Sequence, residues 1–318
     1  MESAASALPA LIGLDWGTSS LRAYLMDANG TVIGERSEPW GIMHLGDRDF
    51  AGAHREVIGQ WTEADDLPVI ACGMVGSAQG WVEAPYCPAP AGAEDLARSL
   101  TIIPGTRVHI VAGVAQRGQP DVMRGEETQI IGALSRAARM AQECRVVCPG
   151  SHSKWVTVRN GHIAAFTTYM TGELYSVLSE HSILGRFAHG RTPPDPADAS
   201  DAFRLGVQTA RDSEHDSASL LFSARARVLL GGVRPDASLA YLSGVLIGSE
   251  VRSGLSGEVA PEALIGAPAL CSRYADALRE FDVVDVDLVG DSAARGLWAI
   301  ATEAQLCSTS TPRTNMSR

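Results

Sequence analysis

The sequence lacks long apolar runs. None approaches the roughly 20 residues that a membrane-crossing helix needs. Its start has no basic stretch leading into an apolar run, so a secretory leader is not expected. It also lacks any Cys-x-x-Cys pair. The six cysteines (Cys72, Cys87, Cys144, Cys148, Cys271 and Cys307) are scattered. That spacing excludes a disulfide frame or a cysteine zinc site and suits the reduced thiols of a cytoplasmic protein. Positive charge is scarce: 26 Lys and Arg stand against 37 Asp and Glu, a net charge of -11. Nucleic acid is therefore not expected as a partner, because neutralising its phosphates takes a basic surface. A local basic pocket for a small anion stays open.

What remains is a chain of 318 residues, 45% of them apolar. That is enough for two domains with separate cores, and it excludes disorder as a global state. Residues 308–318 are polar and read as a frayed tail.

The chain opens with an apolar strand, Leu11 to Leu14, followed by a turn, Asp15-Trp16-Gly17-Thr18-Ser19-Ser20. A second strand, Leu21 to Met26, leads into Asn29-Gly30, a strong hairpin signal, and a third strand starts at Thr31. The same order recurs about 130 residues later. Cys144 to Cys148 is a strand, Pro149-Gly150-Ser151-His152-Ser153 a turn and Lys154 to Arg159 a strand. Asn160-Gly161 turns the chain into another strand, His162 to Tyr169. Such a repeat implies internal duplication. Elsewhere helix and strand patterns alternate. Helices are expected at Phe50 to Ala64, Glu126 to Met140, Ala267 to Glu280 and Ser292 to Glu303. Strands are expected at Pro68 to Cys72, Val108 to Val111, Glu262 to Ile265 and Val283 to Val289. Residues from about Gly172 to Leu255 read as mostly helical, and the Pro/Asp-rich segment Arg191 to Ser200 as an exposed loop. The whole is an α/β pattern.

Two turns carry candidate chemistry. In the first, Gly17 lets backbone amides approach an anion, and Thr18 and Ser19 add hydroxyl donors. Asp15, at the end of a buried strand, suits a Mg2+ ion held through water. The second turn repeats this with Gly150, Ser151, His152, Ser153 and Lys154. Either turn alone suits a plain hairpin corner just as well; their repetition favours a pair of phosphate clamps.

These two turns resemble the phosphate motifs of the sugar kinase, heat-shock chaperone and actin superfamily. Gly266-Ala267-Pro268-Ala269-Leu270 is similar to its adenosine motif, with Gly266, Ala267 and Leu270 as the implied contacts. Within the superfamily the chain most resembles the 2-dehydro-3-deoxygalactonokinase family. The segments that carry this likeness include Gly73-Met74-Val75-Gly76-Ser77, Gln79 to Tyr86, Asp121 to Gln129, Met170 to Leu174 and His181 to Arg186. The resemblance runs from about Leu11 to Ile300 and implies two ribonuclease-H-like, actin/hexokinase-type α/β lobes with an ATP cleft between them. The expected division is 1–132 for the first lobe and 133–307 for the second, with the last helix able to pack back on the first.

The activity it implies is ATP-dependent phosphorylation of 2-dehydro-3-deoxy-D-galactonate at its 6-hydroxyl, with Mg2+. Phosphoryl transfer needs a carboxylate near the attacking hydroxyl. Glu126 is the first candidate and Asp121 the second, with Glu127 in the same stretch. The substrate carboxylate calls for an arginine or backbone amides, with Arg124, Arg186 and the Gly73 to Ser77 loop as candidates. Gly76, Ser77, Gln79, Trp81, Glu83 and Arg124 form the expected sugar-acid site, with Trp81 equally suited to core packing. A kinase for another sugar acid, or a phosphohydrolase of the exopolyphosphatase type, is the alternative. A homodimer is a reasonable expectation.

Overall fold

The computed structural model describes residues 8–46, 49–61, 66–135, 142–290 and 292–307. The expected tail at 308–318 lies outside them. The chain divides into two compact units, one of residues 1–143, 158–165 and 291–318 and one of residues 144–157 and 166–290.

The first unit is built on β1 (Pro9–Trp16), β2 (Leu21–Asp27), β3 (Val32–Glu38), α1 (Phe50–Ile58) and β4 (Val69–Cys72). It continues through β5 (Tyr86–Pro88), α2 (Ala93–Arg98), β6 (Thr101–Ile102) and β7 (Val108–Ile110). Next come β8 (Gly113–Gln116), β9 (Asp121–Met123) and α3 (Glu126–Leu134). Its main sheet runs β3-β2-β1-β4-β7-β6. β1 pairs antiparallel with β2 and parallel with β4, and β4 pairs parallel with β7. Strands flanked by parallel neighbours are covered on both faces, so they read as unbroken apolar runs. Leu11, Ile12, Leu14 and Trp16 of β1 are all buried, as is every residue of β4. The Asn29-Gly30 turn forms as expected: the Asp27 carboxylate accepts from the Asn29 and Thr31 amides at 2.9 Å, and Gly30 has φ +77°. α1 stops at Ile58 with Gly59 as its C-cap, short of the expected Ala64, and residues 62–65 lie outside the described part.

The second unit holds most of β10 (Glu143–Cys148) and β11 (Ser153–Arg159) and the second half of β12 (His162–Tyr169). It adds α4 (Thr171–His181), α5 (Pro196–Arg211), α6 (Ser217–Leu221), α7 (Ser223–Leu229) and α8 (Ser238–Leu255). β13 (Ala263–Ile265), α9 (Pro268–Arg279) and β14 (Asp287–Val289) complete it. Its sheet order is β12-β11-β10-β13-β14, with β10, β13 and β14 parallel. In both sheets the first strand is central, the second and third lie on one side and the parallel strands on the other. The duplication expected from the repeated turns is therefore present in the topology, and each sheet is ribonuclease-H-like.

Two further expectations change in detail. α5 begins at Pro196, inside the segment expected to be a loop, because Asp195 caps the Ala197 amide and proline suits a first helical position. β14 is shorter than the expected 283–289, because its partner β13 offers only Ala263 to Ile265 for pairing. α8 crosses α5 at close range, where a methyl group on Gly244 would stand 2.0 Å from the Phe203 carbonyl oxygen. No helix among the described residues is long and apolar enough to cross a membrane.

The last helix, α10 (Ala293–Glu303), belongs to the first unit and packs on α3. A methyl group on Gly132 would lie 2.0 Å from the Ser292 carbonyl oxygen, and one on Gly296 would lie 1.8 Å from that of Thr128. Ser292 Oγ also donates to the Gln129 carbonyl at 2.7 Å. Gly296 is thus a helix-contact residue. Since the obstacle is backbone, neither helix can yield cheaply. Gly296→Val should lower unfolding stability by roughly 3 kcal/mol, read as a fall in the urea midpoint. An unchanged midpoint would show that these helices separate without cost.

Candidate active site

In open α/β sheets, ligands bind beyond the carboxyl ends of the strands. In the first unit, Asp15 sits at that end of β1, and its carboxylate pairs with Arg22, directly across on β2. Arg22 is thereby an ion-pair partner that holds Asp15 in place. The turn that follows is closed by the Gly17 amide donating to the Ser20 carbonyl at 3.0 Å, and it leaves Thr18 and Ser19 exposed. Residues Gly41 to Met43 lie against this turn: the Ile42 amide donates to the Gly17 carbonyl at 3.0 Å and that of Met43 to Thr18 at 3.2 Å. A methyl group on Gly41 would come within 2.2 Å of the Thr18 carbonyl oxygen. Gly41 supports the first turn, and its distance in sequence gave no local signal.

The parallel neighbour β4 ends at Cys72, whose Sγ is 3.8 Å from Asp15 Oδ1. Gly73 follows with φ +92°, and a methyl group there would stand 2.8 Å from the Trp16 carbonyl oxygen and 3.6 Å from Asp15 Oδ1. Gly125, with φ +112°, comes up against it, since a methyl group on Gly125 would be 3.3 Å from Gly73 Cα. Three segments far apart in sequence therefore meet at one sheet end: Asp15 to Ser19, Gly73 to Ser77, and Gly125 with the start of α3.

The three candidate acids have different surroundings. Glu126, partly exposed, accepts from the Arg124 amide at 3.1 Å. Glu127 is fully buried; its two oxygens accept from the Gly125 amide at 2.6 Å and the Thr128 hydroxyl at 3.0 Å. Burial first, and the neighbouring Glu126 charge second, push the Glu127 carboxyl up to about 7. Asp121 stands at the other end of β9, paired with Gln116 beside the 117–120 turn.

Arg124 extends beside Gly76. Its Nη2 donates to the Ala84 carbonyl at 2.8 Å, and the guanidinium lies 4.4 Å from the centre of the Tyr86 ring. Nη1 stands 3.0 Å from where a methyl group on Gly76 would be. Nε and Nη1 are buried with no hydrogen-bond acceptor among the described residues, so two charged donors face no counterpart. Ser77, Gln79 and Glu83 lie on the same loop, Gln79 and Glu83 exposed. Trp81 turns to the core, stacking on Phe50 at 6.3 Å and lying edge-on to Trp16 at 6.1 Å, with His54 at 5.5 Å.

In the second unit, the turn after β10 is tied from within. The Gly150 amide faces Ser153 Oγ at 3.4 Å, and the Ser151 carbonyl accepts from the Glu173 amide at 3.0 Å. A methyl group on Gly172 would stand 2.5 Å from the Gly150 carbonyl oxygen, so α4 starts hard against the turn. His152 is exposed and pairs with Glu173. Lys154, the only lysine in the chain, is buried, with Nζ donating to Thr168 Oγ1 at 2.8 Å. Gly266, at the end of β13 with φ +142°, lies beside Pro149, and Ala267 caps α9.

A cavity of about 320 Å³ opens at this turn. Gly150 and Ser151 line one side; Thr171, Gly172 and Tyr175 of α4 another; Ser243, Leu246 and Ile247 of α8 and Leu270, Arg273 and Tyr274 of α9 the rest. Of the expected adenosine contacts, Leu270 is on this wall. The α4, α8 and Arg273 contributions are helix-face positions with no turn signature, which is why sequence reading missed them.

The family model for 2-keto-3-deoxy-galactonokinase matches residues 15–300. A Rhizobium meliloti (strain 1021) protein named a probable 2-dehydro-3-deoxygalactonokinase is 37% identical over 90% of this chain and 97% of its own. The 2-dehydro-3-deoxygalactonokinase of Escherichia coli (strain K12) is 34% identical over 91% and 97%. A solved Sinorhizobium meliloti structure carrying the same designation superimposes with a TM-score of 0.81 at 34% identity, covering 92% of this chain and 97% of that one.

Glu127 provides a test of the site's electrostatics. Its folded pKa lies above its ordinary value of 4.5, so its contribution to stability is complete below about 4.5 and lost as pH rises to about 7. Glu127→Gln has no such dependence. Between pH 5 and pH 8 the wild type should therefore lose roughly 3 kcal/mol relative to Glu127→Gln. Urea midpoints of both proteins at the two pH values give the comparison, and parallel shifts would mean that Glu127 is ionised throughout.

Proposed function

The chain belongs to the 2-keto-3-deoxy-galactonokinase family, and from that premise we propose that it transfers the terminal phosphate of ATP to the 6-hydroxyl of 2-dehydro-3-deoxy-D-galactonate. It is a kinase, a phosphotransferase with an alcohol group as acceptor. The product, 2-dehydro-3-deoxy-6-phospho-D-galactonate, belongs to galactonate catabolism, and the work is cytoplasmic. The observation that carries the reading is the cavity at the Gly150–Ser151 turn. Its volume is that of a small-molecule site, apolar side chains line it, and glycines at 150 and 172 bring backbone to its edge.

In this reading Leu270 and its neighbours take the adenosine. The turn residues Gly150, Ser151, His152 and Ser153, with Gly17, Thr18 and Ser19, supply amides and hydroxyls to the phosphates. Lys154 serves from within the strand pair. Asp15 suits Mg2+ held through water, since this ion keeps most of its waters and needs few carboxylates. When bound, the ion would offset charge on the phosphate oxygens. Glu126 accepts the proton of the attacking hydroxyl; it is the acid that is both partly exposed and next to the Gly73–Gly125 contact. Arg124, with two donors unmatched, binds the substrate carboxylate together with the loop from Gly76 to Glu83.

The direct test is ADP release from ATP and Mg2+ with four arms: 2-dehydro-3-deoxygalactonate, its gluconate epimer, galactonate, and no acceptor. Release should depend on the galactonate-derived keto acid. Equal release without acceptor would make the protein a hydrolase, and preference for another acceptor would overturn the substrate. In the same assay Asp15→Asn and Glu126→Gln should each reduce kcat at least 100-fold, with folding intact by circular dichroism. Near-normal turnover of either variant would remove that residue from the mechanism.

A further inference from the structure

The second unit contains a buried acid that the reaction above does not use. Glu250, on α8, is 2% exposed. Trp155 Nε1 donates to its Oε1 at 2.8 Å, and the Tyr274 hydroxyl donates to its Oε2 at 2.7 Å. Ser153 and Tyr274 are joined, hydroxyl to hydroxyl, at 2.7 Å. With Tyr274 donating to the carboxylate, Ser153 must donate to Tyr274, and the Gly150 amide donates to Ser153. A directed chain therefore runs from the second phosphate turn to Glu250.

Core packing alone does not explain this arrangement. An acid so deeply buried is expensive, and an apolar residue of similar size would fill the same space more cheaply. What the acid adds is direction. A fully satisfied polar network holds its members in one geometry. Two of the groups it holds, Tyr274 and the Gly150 turn, also form walls of the cavity, whereas Glu250 and Trp155 do not line it.

We propose that Glu250 is a positioning residue for the nucleotide: through Tyr274 and Ser153 it fixes the cavity wall and the Gly150–Ser153 turn in their binding geometry. The proposal rests on the reading that this cavity takes ATP. It assigns Glu250 no contact with the nucleotide and no part in accepting or donating the transferred group.

The test is ATP binding by calorimetry, without acceptor, for wild type, Glu250→Gln, Tyr274→Phe and the double variant, alongside steady-state kinetics and melting curves. Each single change should weaken ATP binding about tenfold and leave KM for the sugar acid within about twofold of wild type. Because both act through one chain, the double variant should bind no more weakly than the weaker single. ATP affinity within about twofold of wild type in variants that melt cooperatively would reduce Glu250 to a core residue. Independent, additive losses would break the proposed route through Tyr274. If Glu250→Gln does not fold, Tyr274→Phe, which conserves volume, decides the matter. A wild type that binds no ATP would overturn the functional reading itself, an outcome distinct from variants that bind normally.

Discussion

The contact of Gly73 with the end of β1 is the constraint on which the first unit's site depends. Backbone meets backbone there, with no space for even a methyl group before the Trp16 carbonyl. Parallel pairing of β1 with β4 brings the two strand ends level, and the positive φ of Gly73 turns the chain aside without collision. Gly125 then closes on Gly73 from the third segment. A side chain at either glycine would push apart Asp15 and Glu126, the two acids assigned to one reaction. The proposed chemistry thus depends on what is missing from two residues as much as on the groups present.

Both units also carry a buried acid held by several donors, and the two acids do different work. Glu127 receives an amide and a hydroxyl from its own helix start, and burial raises its pKa to about 7. It belongs to the local architecture of the α3 N-terminus, next to Glu126. Glu250, on α8, collects donors from β11 and α9, so its bonds cross elements. A carboxylate satisfied within one turn stabilises that turn, whereas one satisfied from two other elements fixes those elements against each other and against its own helix. This difference explains why only the second is a candidate for long-range positioning.

The repeated turns were legible in the sequence because turn chemistry is local: Asp15-Trp16-Gly17-Thr18 and Gly150-Ser151-His152-Ser153 show their bend within a few residues. The hairpins at Asn29-Gly30 and Asn160-Gly161 were legible for the same reason, and both glycines have positive φ. Their recurrence gave the duplication, and the five strands of the second sheet repeat the order of the first sheet up to its edge strand β6. The small sheet of β5, β8 and β9 was not legible, since its strands are three or four residues long and pair across intervening elements. Trp81 shows the limit for side chains. Its loop belongs to the likeness with sugar-acid kinases, yet its ring packs with Trp16, Phe50 and His54. Orientation of an aromatic ring is decided by the neighbours the fold supplies, and those neighbours come from distant segments.

What differs between the two sheets is where the chain leaves the shared pattern. In the first unit the departure follows the fourth strand, where Gly73 opens the loop from Gly76 to Glu83 and leads to β5 and, through Arg124, to β9. In the second unit it comes between the third and fourth strands, where five helices are inserted, two of which, α4 and α8, line the cavity. The shared strands end in similar turns, and similar turns suit similar groups, the phosphates. The inserted segments have no counterpart in the other unit, so they are free to recognise the parts of the reactants that differ. The proposed recognition of a sugar acid by one insertion and of adenosine by the other fits that division. It also explains why the turns proposed for the phosphates repeat in the sequence, whereas the residues expected to choose the substrates do not.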